Sequence, residues 1–578
     1  MKKQTNIPPA SKPVSKTKPL SNSKPLLLDR LDNWFNLHEK PVRNSLLAAC
    51  LLFSFFLFNT RISEGNDDSL YIESGYNYAS NFLHYYYTAN APFYPMFLGL
   101  IISIIGIKLF WLKITSVLFN FLALLFFYKS FRNRLPSALL FPVLFTIAVN
   151  SYFQYFASQT YTEAIFLFVE SLFFFYFFKL LDSLKESESV PLKSNYKIWL
   201  AVGFLSFFLT MTRNVAAVVL LAMIFYFLLQ KKFKYALFSL SAYLLFKIPF
   251  EIIKSLIWKN VSQYGSQSNI LLRIDPYKGD GPENTEHAMG FVNRFFDNSS
   301  MYLSRRFLQI LGFMSEKTLE NIGPVAVLVI LLFAFGLIYT YRLKNNYLFY
   351  ASIHTLFLAG TTFIVLQQRW DQPRFVMIHI PIILMIIFYG LYQITRIRKS
   401  GFGQNLILCL MILIFSSSLL SSLGKTADNL PILSKNLRGD KFYGYTPDWR
   451  NFLQMSEWCA GNLPDSALVA SRKAPMSFVY GKGKKFFPIY TVIAVDTATG
   501  YSNPDTVLSY FRRNKITHVI LANLRRDPAK ADGNIVNTIH RILIPFDKKF
   551  PGKLELIHQI PPPEESQIEP CFLYKINL

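Results

Sequence analysis

Long apolar runs separated by short basic clusters fill residues 45–423, and they constrain the fold more than any other feature. A hydrocarbon core about 30 Å thick needs roughly 20 apolar residues of helix to cross it, and many of the runs approach that length. Only 16% of the 578 residues are charged, whereas about a quarter are charged in soluble domains. The runs therefore predict an α-helical polytopic membrane protein with about eleven spans.

The net charge of +25 raises the question of a nucleic-acid partner. The basic residues lie in short clusters between apolar runs, as membrane topology requires, and they form no stripe with interleaved base-stacking aromatic residues. Aromatic residues lie within and at the ends of the apolar runs instead. We expect membrane lipids, and no nucleic acid, as partners.

Each pair of apolar runs between two basic clusters predicts a helical hairpin that leaves the cytoplasm and returns to it. The clusters are Lys129/Arg132/Arg134, residues 179–197, Lys231/Lys232/Lys234, Arg342/Lys344 and Arg396/Arg398/Lys399. Because Lys and Arg are enriched in cytoplasmic loops, we expect all of them on the cytoplasmic side of the plasma (inner) membrane. A last run, 405–423, crosses outward again, so residues 424–578 are expected in the periplasm or outside the cell.

The N-terminal segment and the first apolar run are interpreted together. Residues 1–44 are basic, contain several Pro and Ser and have no apolar run, which predicts a disordered cytoplasmic tail. The run at 46–58 lies too far from the N-terminus for a secretory signal peptide and predicts an uncleaved first helix.

Residues 45–423 are expected to form the membrane domain, with external loops at 61–90 and 251–321. The run at 91–106 contains two prolines and is about 15 residues long, whereas a full span needs more. It predicts a short helix that dips into the membrane or lies on it.

The terminal part, residues 424–578, alternates helical and buried-strand patterns, which predicts a small soluble α/β domain. Helices are predicted at 451–462 and 506–514, and strands at 467–471 and 517–523. Cys459 and Cys571 belong to this domain. They either pair as a disulfide, if the domain is exported, or stay two free buried thiols, which the sequence favours.

The first external loop carries two adjacent acids, Asp67 and Asp68, which follow the first helix closely. Adjacent carboxylates at a low-dielectric boundary are pushed to different pKa values, which suits one of them to act as a general base. Together with His84 they are also ligands for a divalent cation, the only cofactor that the pattern suggests. The alternative is a solvated acidic loop without a chemical role.

Further charged residues lie at the ends of apolar runs on the same predicted face. Glu163 enters an apolar helix, where an ionisable group is costly and suggests function. Arg213 lies between two apolar runs, where it could also simply reach the headgroups. Arg369 and Arg374 lie in an external turn, against the positive-inside trend. Planar, bidentate arginines are preferred ligands of phosphate.

Several catalytic motifs are absent from the sequence. There is no Gly-rich phosphate loop, no His-Glu zinc motif and no Ser nucleophile elbow, which argues against nucleotide hydrolysis and metalloprotease chemistry. The two halves share no pattern of interrupted helices, the feature that would indicate a secondary transporter.

In their order along the chain, these motifs resemble the GT-C superfamily of polyprenyl-phosphate-sugar-dependent glycosyltransferases, such as the protein O-mannosyltransferase and aminoarabinose-transferase groups. The matching motifs are Asp-Asp-x-x-Tyr (Asp67, Asp68, Tyr71), Pro-x-Tyr-Pro (Pro92, Tyr94, Pro95), Tyr-Thr-Glu (Tyr161, Thr162, Glu163), Thr212-Arg213, and Arg374-Phe375 followed by Pro381. The resemblance covers about residues 45–423 and implies a GT-C-like membrane domain.

The resemblance implies transfer of a hexose or pentose from a polyprenyl-phosphate donor to a hydroxyl group of a protein, lipid or glycan at the outer face. Asp67 would then be the catalytic base, with Asp68 as the other candidate because the family often has Glu at that position. Arg374, Arg213 and Arg369 would bind the donor phosphate.

Other residues take supporting roles in the same interpretation. Tyr71, Tyr94 and Glu163 would line the substrate cavity, and Arg305 and Arg306 in loop 251–321 are further phosphate ligands.

Two other functions are compatible with a chain of this kind. A transporter or exporter of an envelope polymer would need charged residues in the middle of its helices, and few are found there. A polysaccharide polymerase or ligase also has a large external loop with arginines, but no acid pair directly after the first helix. A non-catalytic membrane scaffold is a further alternative.

Overall fold

The computed structural model describes residues 26–186, 196–259, 267–276, 282–496, 498–525, 536, 538–561 and 570–578. The helices up to residue 229 in these ranges are α1 (Leu27–Leu37), α2 (Glu39–Phe56), α3 (Asp67–Asn81), α4 (Phe93–Ile105), α5 (Leu109–Phe131), α6 (Ser137–Val149), α7 (Ser151–Ala157), α8 (Thr162–Glu186), α9 (Tyr196–Thr212) and α10 (Val218–Leu229). They are followed by α11 (Phe233–Ile257), α12 (Gln267–Leu271), α13 (Ala288–Met301), α14 (Phe307–Ile310), α15 (Gly323–Arg342), α16 (Asn346–Val365), α17 (Arg374–Met377), α18 (Ile380–Ile397) and α19 (Gly401–Leu437).

Seven helices of the described part are long and apolar enough to cross a membrane, namely α5, α8, α11, α15, α16, α18 and α19. The pair α6 and α7, bent by 57° at its break, passes the same test as one unit. The prediction of about eleven spans also included α2, α9 and α10, which have 18, 17 and 12 residues. That number stays a prediction. The helix α4 has 13 residues, about 20 Å at 1.5 Å per residue, which is shorter than a bilayer core.

The predicted disordered tail is wrong from residue 27 onward, because α1 packs against the membrane domain. Leu28 is fully buried, and its backbone N–H donates to Gln404 Oε1 at 3.0 Å. Asp29 accepts a hydrogen bond of 2.8 Å from the hydroxyl of Tyr392. The apolar residues of α1 recur at helical spacing instead of forming a run, so no span-like pattern marks this helix. The first part of the predicted tail, residues 1–25, lies outside the described residues.

The terminal domain contains α20 (Pro447–Asn462), β1 (Val469–Ser471), α21 (Ala474–Tyr480), β2 (Phe486–Pro488), α22 (Pro504–Arg513), β3 (His518–Leu521), α23 (His540–Lys549), β4 (Leu554–Ile560) and β5 (Cys571–Ile576). Its five strands form one sheet of order β2-β1-β3-β5-β4. The strand β1 is parallel to β2 and β3, whereas β5 is antiparallel to β3 and β4. The α/β class and the predicted helices and strands are confirmed.

In the terminal part, one predicted boundary is shifted, and the state of two cysteines decides between the two alternatives given for them. The boundary drawn at residue 423 falls inside α19, which continues to Leu437 as one helix. Cys459 and Cys571 are both buried and free, as the favoured alternative has it.

Residues predicted on the cytoplasmic side do lie together at one end of the membrane domain. Arg132 pairs with Glu39 at 2.6 Å, and Arg134 pairs with Asp182 at 2.5 Å. Asn345 donates to the backbone carbonyl of Arg134 at 3.0 Å. These contacts bring the ends of α5, α8 and α15 to the same end of the membrane domain, as the hairpin pattern requires.

At the other end of the membrane domain, α3 is held in place by its close approach to α4. A Cβ on Gly75 would lie 2.9 Å from Leu98 Cβ, and one on Gly99 would lie 2.8 Å from the Gly75 carbonyl oxygen. Since a larger residue at either position would force the backbones apart, the two glycines set the position of α3, and with it that of the residues at its N-terminus.

Candidate active site

The first turn of α3 carries both adjacent acids. Asn66 precedes the helix with φ of 77°, in the left-handed region that asparagine tolerates better than most residues. This turn directs the chain into the helix with Asp67 and Asp68 at its first two positions. Carboxylates are stabilised there by the positive end of the helix dipole.

Asp68 is completely buried and accepts hydrogen bonds from its own segment. It accepts from Ser63 N at 2.7 Å, from Ser63 Oγ at 3.2 Å and from Ser69 N at 2.8 Å. Burial raises the pKa of Asp68, against the opposing effect of the Ser63 hydrogen bond and of the Lys113 charge. Asp68 therefore holds the preceding loop in place and is closed to solvent.

Asp67 has the opposite environment, with 41% of its side chain exposed. Its Oδ2 accepts a hydrogen bond from Nη2 of Arg374, whose side chain is 11% exposed. Burial opposes the charge of Arg374, but Asp67 and Glu163 outweigh this effect and hold the pKa of the guanidinium above its usual range. The pair thus joins an accessible carboxylate to a buried, permanently charged arginine.

Glu163, at the start of α8, connects the same arginine to Arg213. Its Oε1 accepts from Arg213 Nη1 at 3.1 Å and lies 3.9 Å from Arg374 Nε. Glu163 is 1% exposed, and within the described ranges its Oε2 has no hydrogen-bond partner. Asp67, Arg374, Glu163 and Arg213 form a cluster of two acids and two bases whose formal charges cancel. We call these four residues the outer charge cluster.

Aromatic residues form the walls around the outer charge cluster. Arg374 lies over the ring of Tyr161 at 5.0 Å, and the Tyr161 hydroxyl shares a hydrogen bond with Ser63 Oγ. Tyr71 and Tyr94 are buried edge to face at 5.6 Å. Burial raises the pKa of Tyr71, and the charge of Asp67 adds to this effect while Arg374 opposes it.

The other predicted phosphate ligands do not join this cluster. Arg369 is 63% exposed and pairs with Asp275 at 3.0 Å. Arg305 and Arg306 both bind Asp371, each at 2.6 Å. These two arginines lie in a π-helical turn, Tyr302–Arg306, and fasten it to the segment before α17. Their charges are satisfied within the protein.

The predicted metal site is not assembled. The helix α3 has 15 residues, about 22 Å at 1.5 Å per residue, and His84 follows its far end, away from Asp67 and Asp68. Asp67 is paired with Arg374, and both oxygens of Asp68 accept hydrogen bonds from the chain. Within the described ranges, no three His, Cys, Asp or Glu side chains are grouped so as to hold a metal ion.

Several buried polar residues near the cluster were not identified from sequence. Lys113, in the span α5, is 1% exposed and donates to Asn59 Oδ1 at 3.2 Å. Deeper in the membrane domain, a carboxylate oxygen of Glu170 lies 2.9 Å from His354 Nε2. Each is an ionisable residue inside an apolar run, which is itself a signal of a specific role. The predicted site residues, in contrast, lie at the ends of runs.

The sequence matches no protein-family model and no curated protein. Solved structures do match. ArnT from Cupriavidus metallidurans in the apo state superposes with a TM-score of 0.53 at 10% identity, over 93% of this chain and 98% of that one. The same protein bound to undecaprenyl phosphate gives 0.52 at 11% identity, over 92% and 97%. The Archaeoglobus fulgidus oligosaccharyltransferase tethered with an acceptor peptide gives 0.50 at 13% identity, over 93% and 74%.

The chain therefore shares its fold with these solved structures, and its long apolar helices make it a multi-pass membrane protein. The fold that the sequence motifs suggested is confirmed. At 10–13% identity the similarity shows the fold alone. The chemistry of this chain depends on the outer charge cluster.

Proposed function

We propose that this protein is a membrane glycosyltransferase that moves a sugar from a polyprenyl-phosphate donor to an acceptor hydroxyl on the outer face of the plasma membrane. The observation that carries the proposal is the pairing of Asp67, an accessible carboxylate, with Arg374, a buried arginine. A group that accepts a proton and a group that binds phosphate thus lie in direct contact.

In this proposal, the carboxylate of Asp67 and the donor phosphate compete for the guanidinium of Arg374. Without a donor its guanidinium binds Asp67. Among the residues that the structure describes, its Nε has no hydrogen-bond partner, so the guanidinium retains donor capacity for a contact with a phosphate. When the donor phosphate takes over Arg374, Asp67 becomes free to accept a proton from the acceptor.

The transfer is a single displacement at the anomeric carbon. Asp67 takes the proton of the acceptor hydroxyl, whose oxygen forms a bond to that carbon, and the bond from the carbon to the phosphate oxygen breaks. The electron pair goes to the leaving phosphate, which gains one negative charge. Arg374 lies where this charge develops, and stabilisation of developing charge is the main source of rate acceleration in many enzymes. Glu163 and Arg213 hold Arg374 in place.

The two adjacent acids are assigned different roles. Asp67 is exposed enough to meet an acceptor, whereas Asp68 accepts three hydrogen bonds and is closed to solvent. The base is therefore Asp67. No step is assigned to a metal ion, since the proposed ligands Asp67, Asp68 and His84 do not converge.

The structural neighbours support the substrate class. One of them is an ArnT structure with bound undecaprenyl phosphate, and another is an oligosaccharyltransferase with a tethered acceptor peptide. The orientation is supported by the positive-inside pattern, because the outer charge cluster lies at the end opposite the paired basic clusters. A lipid donor on the outer face also needs no nucleotide site.

The test is a transfer assay with the purified protein in liposomes. Undecaprenyl phosphate carrying individual hexoses and pentoses is supplied as donor, and release of undecaprenyl phosphate is followed by thin-layer chromatography with membrane, glycan and peptide fractions as acceptors. We expect acceptor-dependent release from at least one donor. Absence of release from every donor, together with no binding of undecaprenyl phosphate, contradicts the proposal.

A further inference from the structure

The terminal domain, the end of α19 and the residues between them hold the loop that leads to Asp67. Tyr445 is central to this contact, because its hydroxyl accepts from Ile62 N at 2.7 Å and also lies 2.7 Å from the Ile62 carbonyl oxygen. Thr60 N donates to Asn436 Oδ1 at 3.1 Å. Side chains of Tyr445 and Asn436, far along the sequence, thus supply hydrogen-bond partners for backbone groups of this irregular loop.

Lys473 makes the contact nearest to the acids. It precedes α21, is 9% exposed, and its Nζ donates to the backbone carbonyl of Glu64 at 2.8 Å. Its ammonium also lies over the ring of Trp449 at 5.8 Å. Glu64 is three residues before Asp67, in the same loop whose Ser63 binds Asp68. A buried cation from another domain therefore holds this loop.

We infer that Lys473 is a positioning residue for Asp67, so that the terminal domain completes the active site of the membrane domain. This inference rests on the proposed function. Lys473 holds the carbonyl of Glu64 and faces the acids of the loop, and it thereby fixes the distance between Asp67 and Arg374. Since displacements of about 1 Å cost up to about 100-fold in rate, a loosened loop slows transfer while leaving the lipid-binding arginines intact.

The charge of Lys473 depends on pH in an informative range. Burial and the charge of neighbouring Arg472 lower the pKa of Lys473 to about 8, although Asp67, Glu64 and Asp68 oppose the shift. The ammonium is thus present below about pH 8 and is lost above it. An arginine at this position keeps its charge throughout the range.

The experiment compares Lys473→Met and Lys473→Arg with Lys484→Met in the full-length protein. Lys484 is a matched control, since its Nζ donates to the carbonyl of Pro464 at 2.9 Å in the same domain but at a solvent-accessible position. We expect Lys473→Met to lower kcat about 10- to 100-fold with KM and the Kd for undecaprenyl phosphate nearly unchanged. Lys473→Arg should restore kcat and extend activity to higher pH than the wild type.

Two outcomes overturn the inference without touching the proposed function. One is a Lys473→Met variant that loses lipid affinity but keeps kcat, and the other is a Lys473→Arg variant whose pH profile matches the wild type. Hydrogen exchange gives a readout that needs no turnover, because the amides of residues 61–66 should exchange faster in Lys473→Met than in Lys484→Met. Equal exchange in this loop refutes the positioning role whatever the activity. If the wild type neither releases nor binds undecaprenyl phosphate, the proposed function fails instead.

Discussion

Nη2 of Arg374 donates to the carboxylate of Asp67 across 307 positions of sequence. This contact joins the first external loop, which carries Asp67, to α17, the short helix before α18 that carries Arg374. Glu163 and Arg213 extend the contact into a cluster of four charges. Glu163 and Arg213 are 1% and 13% exposed, and breaking a buried pair by removing one partner costs about 3–5 kcal/mol. This pair therefore ties the start of α8 to the residue that follows α9.

Replacing Arg374 by Gln should weaken binding of the lipid phosphate. A hydrogen bond to a charged group contributes about 1.5–3 kcal/mol, so the Kd for undecaprenyl phosphate should rise about 10-fold or more. The measurement is a titration of the purified variant in detergent. Arg369→Gln is the control, because that side chain is 63% exposed and lies outside the cluster. Equal affinity losses in both variants would remove Arg374 from its assigned role.

Replacing Asp68 by Asn should act mainly on stability. The Asn amide cannot accept all three hydrogen bonds that the carboxylate receives, and a buried unsatisfied donor costs about 1–3 kcal/mol. We expect a lower Tm in detergent and a partial loss of activity. A variant with unchanged Tm but no activity would instead make Asp68 the base.

The membrane spans and the terminal α/β domain could be predicted from the sequence because both depend on local patterns of apolar residues. Runs of apolar residues predict spans, and the alternation of helix and strand predicted the segments that became α20, β1, α22 and β3. The helix α1 was not predicted, because its apolar residues recur at helical spacing instead of forming a run. Its burial depends on contacts with Gln404 and Tyr392, far along the chain.

The candidate site was only partly accessible for the same reason. Asp67, Glu163, Arg213 and Arg374 were identified one by one, since each is a charge at the end of an apolar run, and the structure brings all four together. Sequence position cannot tell which arginines are already paired, so Arg369 was grouped with them. Lys473 carries no local signal at all, because its role arises only where the terminal domain meets the loop.

The terminal domain docks on α3, where the ring of Tyr76 lies 5.2 Å from that of Phe478 in α21, and this docking should weaken as pH rises. Burial raises the pKa of Glu73 to about 7, against the opposing charge of Lys485. A raised carboxyl pKa stabilises the docked state fully below the ordinary value of 4.5, and this contribution is lost as pH rises through about 7. Hydrogen exchange in α21, corrected for intrinsic rates, should therefore increase from about pH 5 to about pH 7 and then level off. The Glu73→Gln variant should show no such increase, and a wild-type-like response in it would exclude Glu73 as the cause.

The predicted orientation can be tested with single cysteines. Cys50, Cys459 and Cys571 are buried, so Cys409→Ser gives a background of low reactivity. In right-side-out membrane vesicles, a membrane-impermeant maleimide should label Thr499→Cys in the terminal domain. It should label Arg398→Cys only after permeabilisation. The reverse pattern would place the outer charge cluster on the cytoplasmic side.

We propose Asp67 as the general base of a lipid-phosphate glycosyltransferase. Its most direct test is single-turnover release of undecaprenyl phosphate by Asp67→Asn, with Asp297→Asn as the control at an exposed external position. Loss of a general base lowers the rate about 10²- to 10⁴-fold. We predict a loss of this size in Asp67→Asn, with retained undecaprenyl phosphate binding, and wild-type release in Asp297→Asn. Release by Asp67→Asn at the wild-type rate would contradict the account.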